Sequence, residues 1–259
     1  MTIDTTVRYI PVEQARSMSG LRIAFTQGVP GAWSVAIKAI LELKGIDYIP
    51  VAQEPGQPND ALKAWTGQTS APVAMFNNDR IRANWSEMLI LAEQLQPEPR
   101  LIPADEEGRI ALFGLCHEIC GDDGLGWNVR LMLMSGERGP KDADDSDNPM
   151  RQKYTSPVTN DYARTRIWSI LNAMVSRLDA QSAKGNRYFM GDRLTAADIY
   201  WTAFSNLFSP MSKDLCTMPD YFHTYGPLLE QYLEAPVPPK LLAHRDYIAG
   251  KYFRTPISL

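Results

Sequence analysis

"GDRLTAADIYW", residues 191–201, carries the sharpest local signal in the second half of the chain. Thr195 and Asp198 stand three positions apart ahead of an apolar run, the spacing of a reciprocal capping box. In that arrangement the threonine hydroxyl accepts from the Asp198 N–H while the carboxylate reaches back to the Thr195 N–H. Leu194 and Ile199 flank the box at the separation of a hydrophobic staple. The motif predicts a helix starting at residue 196 and concerns folding, with truncation of Asp198 costing on the order of 1 kcal/mol or more.

Outward from this motif, helical periodicity dominates residues 104–259. It runs through "EEGRIALFGLCHEICGDDGLGWNVRLMLM" (106–134), "YARTRIWSILNAMVSRLDAQ" (162–181), "AADIYWTAFSNLF" (196–208) and "YGPLLEQYLEA" (225–235), with no strand-like segment of comparable length between them. The connection "SGERGPKDADDSDNP" (135–149) is long and acidic. It reads as a solvated link, because the glycine and terminal glutamate of a calcium loop are missing. The final stretch, "AHRDYIAGKYFRTPISL" (243–259), matches no motif.

Toward the N-terminus the character changes. "LRIAFT" (21–26) and "DYIPVA" (47–52) have the β-branched and aromatic content of strands, and "WSVAIKAILELKG" (33–45) between them is a helix closed by Gly45. A short helix at "NDALKAW" (59–65) follows, then strands "PVAMF" and "RIRA" about the turn "NND", then the helix "WSEMLILAEQL" (85–95). The order βαβαββα predicts an α/β domain over 21–96, preceded by an extension over 1–20. A Pro-rich linker over 97–103 joins it to an all-α domain over 104–259.

The totals narrow the function. The chain has 259 residues, 44% hydrophobic and 22% charged, with a formal net charge of −4. That balance gives no basic surface for nucleic acid, and the longest apolar runs fall far short of the ~20 residues a membrane span requires. Nothing in the first twenty residues reads as an export signal, so a cytoplasmic protein is expected. Three cysteines do not make a disulfide framework. Cys116 and Cys120 share a helical face, where they are either two metal ligands or two buried apolar side chains. His223 and His244 are distant in sequence, and no metal is expected.

The domain order, "SAPVAMF" (70–76) with Pro72 before the third strand, the Pro-rich link and "GDRLTAADI" together resemble the soluble glutathione S-transferases. The resemblance covers about residues 21–235. It implies a thioredoxin-like first domain, glutathione as co-substrate or ligand, and a homodimer. It further implies a cis peptide at Pro72, with the Ala71 backbone pairing with the cysteinyl unit of the tripeptide. At the start of the fourth-strand helix it assigns Glu87 to the ligand's amino group and Ser86 to its carboxylate. The residues themselves also allow an N-cap serine and a first-turn glutamate that complements the helix dipole.

In "TQGVPGAWS" (26–34) the positions that carry the activating tyrosine, serine or cysteine in the family hold Gln27, Gly31 and Trp33. "GAWS" falls where a redox CxxC would be, so dithiol exchange is excluded. Lowering a thiol pKa by two units requires ~2.7 kcal/mol, and one charge-assisted hydrogen bond supplies ~1.5–3. Ser34 is the remaining hydroxyl at this helix start. Two readings stand: Ser34, aided by the Gly31–Trp33 N–H groups, contacts the glutathione sulfur, or it caps the helix. Trp33 adjoins the glutathione site in the resemblance. The family's electrophile site brings in Phe113, Cys116, Glu118 and Cys120, and above all Trp127 and Arg130. The expected activity is attack of bound glutathione thiolate on a small apolar electrophile. The alternatives are a non-catalytic binder of glutathione or a hydrophobic ligand, and a protein-interaction scaffold.

Overall fold

The computed structural model describes residues 7–134 and 159–259. The acidic connection at 135–149 lies outside the described residues, as do residues 1–6. The chain runs through α1 (Val12–Arg16), β1 (Leu21–Thr26), α2 (Ala32–Lys44), β2 (Ile49–Gln53), α3 (Asp60–Thr66), β3 (Val73–Phe76) and α4 (Trp85–Leu95). There follow α5 (Glu106–Cys120), α6 (Leu125–Met134), α7 (Asn160–Ser182), α8 (Ala196–Phe204), α9 (Phe222–Leu233) and α10 (Pro239–Tyr252). This is a thioredoxin-like α/β layer followed by a helical layer.

The sheet has strand order β2-β1-β3, with β2 parallel and β3 antiparallel to β1. Alternation along β1 sends Leu21, Ile23 and Phe25 into the main core with α2 and α4. Ala24 faces the other way, into a smaller cluster with Val12, Ala15, Val51, Leu62 and Val73. That cluster draws in the segment before β1: Ile10 forms a parallel bridge with Val51, and α1 packs on α3.

Two expectations are corrected. "RIRA" is not a fourth strand. It contributes a single antiparallel bridge, Ala74 with Arg82, whose N–H groups each donate to the other's carbonyl at 2.8 Å. The chain leaves the sheet there because Asn84 must turn to cap α4, its side chain accepting from the Ser86 N–H at 3.0 Å. Residues 106–134 form two helices. Gly121 ends α5 and Asp123 takes a left-handed φ of 56°, a conformation that breaks helical hydrogen bonding.

The capping motif does more than start α8. The Asp198 carboxylate is fully buried and accepts from the N–H and hydroxyl of Thr195 and from the N–H of Phe189, at 2.8, 2.9 and 2.9 Å. It also lies 3.0 Å from Nε2 of His244 on α10. Every residue of α8 is buried, and α2 packs along it, so one core serves both layers. Lys44 fixes the linker: its ammonium donates to the carbonyls of Gln96 and Pro99, both at 2.8 Å, and pairs with Glu93 at 2.6 Å.

Candidate functional site

The site is built around the N-terminus of α2. Gly31 occupies the N-cap and supplies no side-chain cap, so the first-turn N–H groups of Ala32, Trp33 and Ser34 have no intrahelical acceptor. They face a cleft of about 730 Å³. Its near wall is Thr26 and residues 29–34 with Gln53, the 55–58 turn and residues 69–71, and its far wall is Leu133, Leu207, Tyr221, Phe222, Tyr225 and Arg130. A narrower recess of about 260 Å³ continues from it past Trp33, lined by Pro72, Asn84, Trp85, His117 and Trp127 among others. The two share Trp33, Ser70, Ala71 and Arg130.

Ser34 lies in the floor of the cleft, 1% exposed, and its hydroxyl takes no hydrogen-bond partner among the described residues. As the third residue of α2 it does not cap the helix. The Ala71-Pro72 peptide is cis, and the Ala71 N–H and carbonyl make no backbone hydrogen bond among the described residues. A backbone N–H and carbonyl left unpaired beside a cleft are groups with which a peptide-like ligand can pair.

Trp33 ties the two layers together. Its Nε1–H donates to the Cys120 carbonyl at 2.9 Å, its ring meets Phe204 edge-on at 4.7 Å, and the Arg130 guanidinium stands 4.8 Å from its ring centroid. Gly126 on α6 lets this happen: a Cβ there would overlap the Phe204 ring and sit 3.1 Å from Trp33. Arg130 is the one charged side chain among the described residues that line the larger cleft. Burial raises the phenol pKa values of Tyr221 and Tyr225, so both remain neutral donors at physiological pH.

Other expected site residues lie elsewhere. Ser86 and Glu87 line neither cavity; the side chains that α4 and its cap bring to the recess are Asn84 and Trp85. The Ser86 hydroxyl donates to the Asn84 side chain at 2.9 Å, and the Glu87 carboxylate is paired with Arg80. Arg80, opposed by burial and helped by the backbone at Asn84 and Ala83, holds the Glu87 carboxyl below the usual carboxylate range. Cys116 and Cys120 are core side chains whose thiols burial pushes far up, which keeps them protonated and inert. Glu118 pairs with Arg166 at 2.7 Å, and Phe113 packs on Trp85. Among the described residues no group of three ligand-type side chains could hold a metal ion, and no helix is long and apolar enough to cross a membrane.

Apart from Arg130, the far wall was not legible in the sequence. Tyr221 and Phe222 come from "MPDYFH", where Pro219 and Asp220 mask the start of α9, and Leu207 follows α8 in a 3₁₀ turn.

No protein-family model matches the chain, and no curated protein does. Solved structures do match over nearly the whole length. One is a glutathione S-transferase from Methylobacillus flagellatus KT with glutathione bound, at 13% identity, 93% of this chain and 100% of that one, TM-score 0.62. The chain has the fold of the soluble glutathione S-transferases. A holo maleylpyruvate isomerase, a bacterial Zeta-class glutathione S-transferase, matches at 22% identity over 92% of this chain and 96% of that one, TM-score 0.60. The β-etherase LigF from Sphingobium sp. strain SYK-6 matches at 19% identity over 92% and 96%, TM-score 0.60. Helix α2 begins at Ala32, and Ser34 is its third residue.

Proposed function

We propose that the cleft binds glutathione and presents its thiolate to a small, largely apolar electrophile. The observation that carries this reading is the meeting of three features in one cavity: the unpaired Ala71 backbone edge, the open N-terminus of α2 with the Ser34 hydroxyl, and an aromatic far wall. Ala71 pairs with the cysteinyl backbone, which directs the sulfur toward Ser34 and the first-turn N–H groups of α2. The hydroxyl and the helix N-terminus each favour negative charge, contributing ~1.5–3 and up to ~2 kcal/mol. Together they cover the ~2.7 kcal/mol needed to lower the thiol pKa by two units. The thiolate then forms a carbon–sulfur bond while the electrophile's leaving group departs or its π-electrons shift away. Trp33, Tyr221, Phe222 and Tyr225 hold the apolar body of the electrophile, and Arg130 and Trp127 border its polar end. Glutathione bound to a solved structure of the same fold supports the ligand class. We take the active form to be a homodimer in the cytoplasm.

The test is an ultraviolet pH titration of the glutathione thiolate with and without saturating protein. A thiol pKa lowered by a unit or more supports catalysis. Binding without a shift would make the protein a glutathione carrier of the same fold, and absence of binding overturns the reading.

A further inference from the structure

The loop that carries the proposed sulfur site is not held by its own layer alone. Three of its N–H groups bond locally: Gly31 donates to Val29 at 2.8 Å, Val29 to Thr26 at 3.4 Å and Gln27 to Gln53 at 3.0 Å. Between them Gly28, at φ 70°, donates to the carbonyl of Leu259 at 2.7 Å. Leu259 belongs to a segment that is itself pinned. The Ile257 N–H donates to Leu215 and the Thr217 N–H to Ile257, both at 2.7 Å, and the Ile257 side chain is 4% exposed.

The chain of contacts continues into the far wall. Cys216 bridges in parallel with Ile257, and its sulfur lies 3.4 Å from Nδ2 of the buried Asn206. Asn206 Oδ1 accepts the Met211 N–H at 2.7 Å, which fixes the turn between Leu207 and the segment leading to Tyr221. Hydrogen bonds at Asn206, at the 215–217 and 257–259 segments and at Gly28, linked through the backbone of those two segments, therefore connect the two sides of the cleft.

We propose that residues 257–259 are a brace that sets the position of the 26–31 loop against the far wall and so tunes glutathione binding. The residues of the brace touch the loop and not the ligand, so they position the site. The binding part of this inference rests on the glutathione reading above; the effect on the loop does not.

The experiment uses the full chain carrying Ile257→Asp, which replaces the buried anchor by a charge, with Ile257→Val as the conservative control and removal of Leu259 alone as a second variant. Amide exchange is followed residue by residue, and glutathione affinity by calorimetry. Losing one such anchor should speed exchange at Gly28 and Gly31 by about tenfold, leave β1 amides unchanged, and raise the glutathione dissociation constant by about tenfold. Valine should restore both. Unchanged loop exchange in the Leu259-deleted protein overturns the brace whatever the protein binds. Faster exchange with unaltered affinity overturns its role in binding. A wild-type protein that binds no glutathione defeats the functional reading, while the exchange data still decide whether the brace exists.

Discussion

Trp33 and Arg130 stack across the boundary between the two layers, the guanidinium 4.8 Å from the indole centroid, and both side chains line the cleft and its recess. Trp33 is thus a structural bridge as well as a cleft residue, with its indole N–H committed to the Cys120 carbonyl.

Replacing Trp33 should separate these roles. Trp33→Phe keeps the ring contact with Phe204 and loses the hydrogen bond, at a cost of about 1 kcal/mol. Trp33→Ala also removes the packing and should cost ~3–5 kcal/mol. Urea denaturation of both variants checks the ordering; equal losses would show that the ring contributes nothing.

Ser34→Ala should leave stability within ~0.5 kcal/mol, because no hydrogen bond to the hydroxyl is broken and the methyl fits the same space. The pKa of bound glutathione should rise by about a unit, the loss of one charge-assisted hydrogen bond. Thiolate titration of the variant, beside its melting curve, reads both. An unmoved pKa removes Ser34 from the chemistry.

Glu87 predicts an acid dependence. Its carboxyl is held down by Arg80, so its folded pKa lies below the unfolded one. The stabilisation is complete above the unfolded value of ~4.3 and disappears as pH falls through the folded pKa. Glu87→Gln should therefore flatten the stability curve in that acid window and leave glutathione affinity at neutral pH within a factor of two. A large loss of affinity would return Glu87 to the ligand.

Asp198→Ala should damage stability far more than Ser34→Ala or Glu87→Gln. It strands the buried N–H groups of Phe189 and Thr195 and the ring of His244 together, at ~1–3 kcal/mol for each unsatisfied group. Chemical denaturation should register a loss of at least ~3 kcal/mol, well beyond that of an ordinary cap.

What could be read in advance was local. The capping residues Thr195 and Asp198, Gly45 closing α2, and the short helix at 60–66 each depend on neighbours within a few positions, so their identity suffices. The Ala71-Pro72 geometry was legible only through resemblance. The single bridge at Arg82 depends on how Asn84 caps the next helix. The break at Gly121–Gly124 was hidden by apolar residues continuing on both sides. Tyr221, Phe222 and Tyr225 face Ser34 across roughly 190 positions of sequence, and no periodicity encodes such a meeting.

The contact between Asp198 and His244 also bears on how the chain is made. Synthesis delivers the carboxylate well before the imidazole, and α8 is to be buried on every side. While α10 is still inside the ribosome, that oxygen has the Phe189 N–H but not the imidazole, and Trp201, whose indole N–H donates to Leu241, lacks that cover. The first layer can settle as it emerges, but the second must wait for its last helix. A nascent chain stalled before residue 244 would expose α8, making it the natural place for a chaperone to bind.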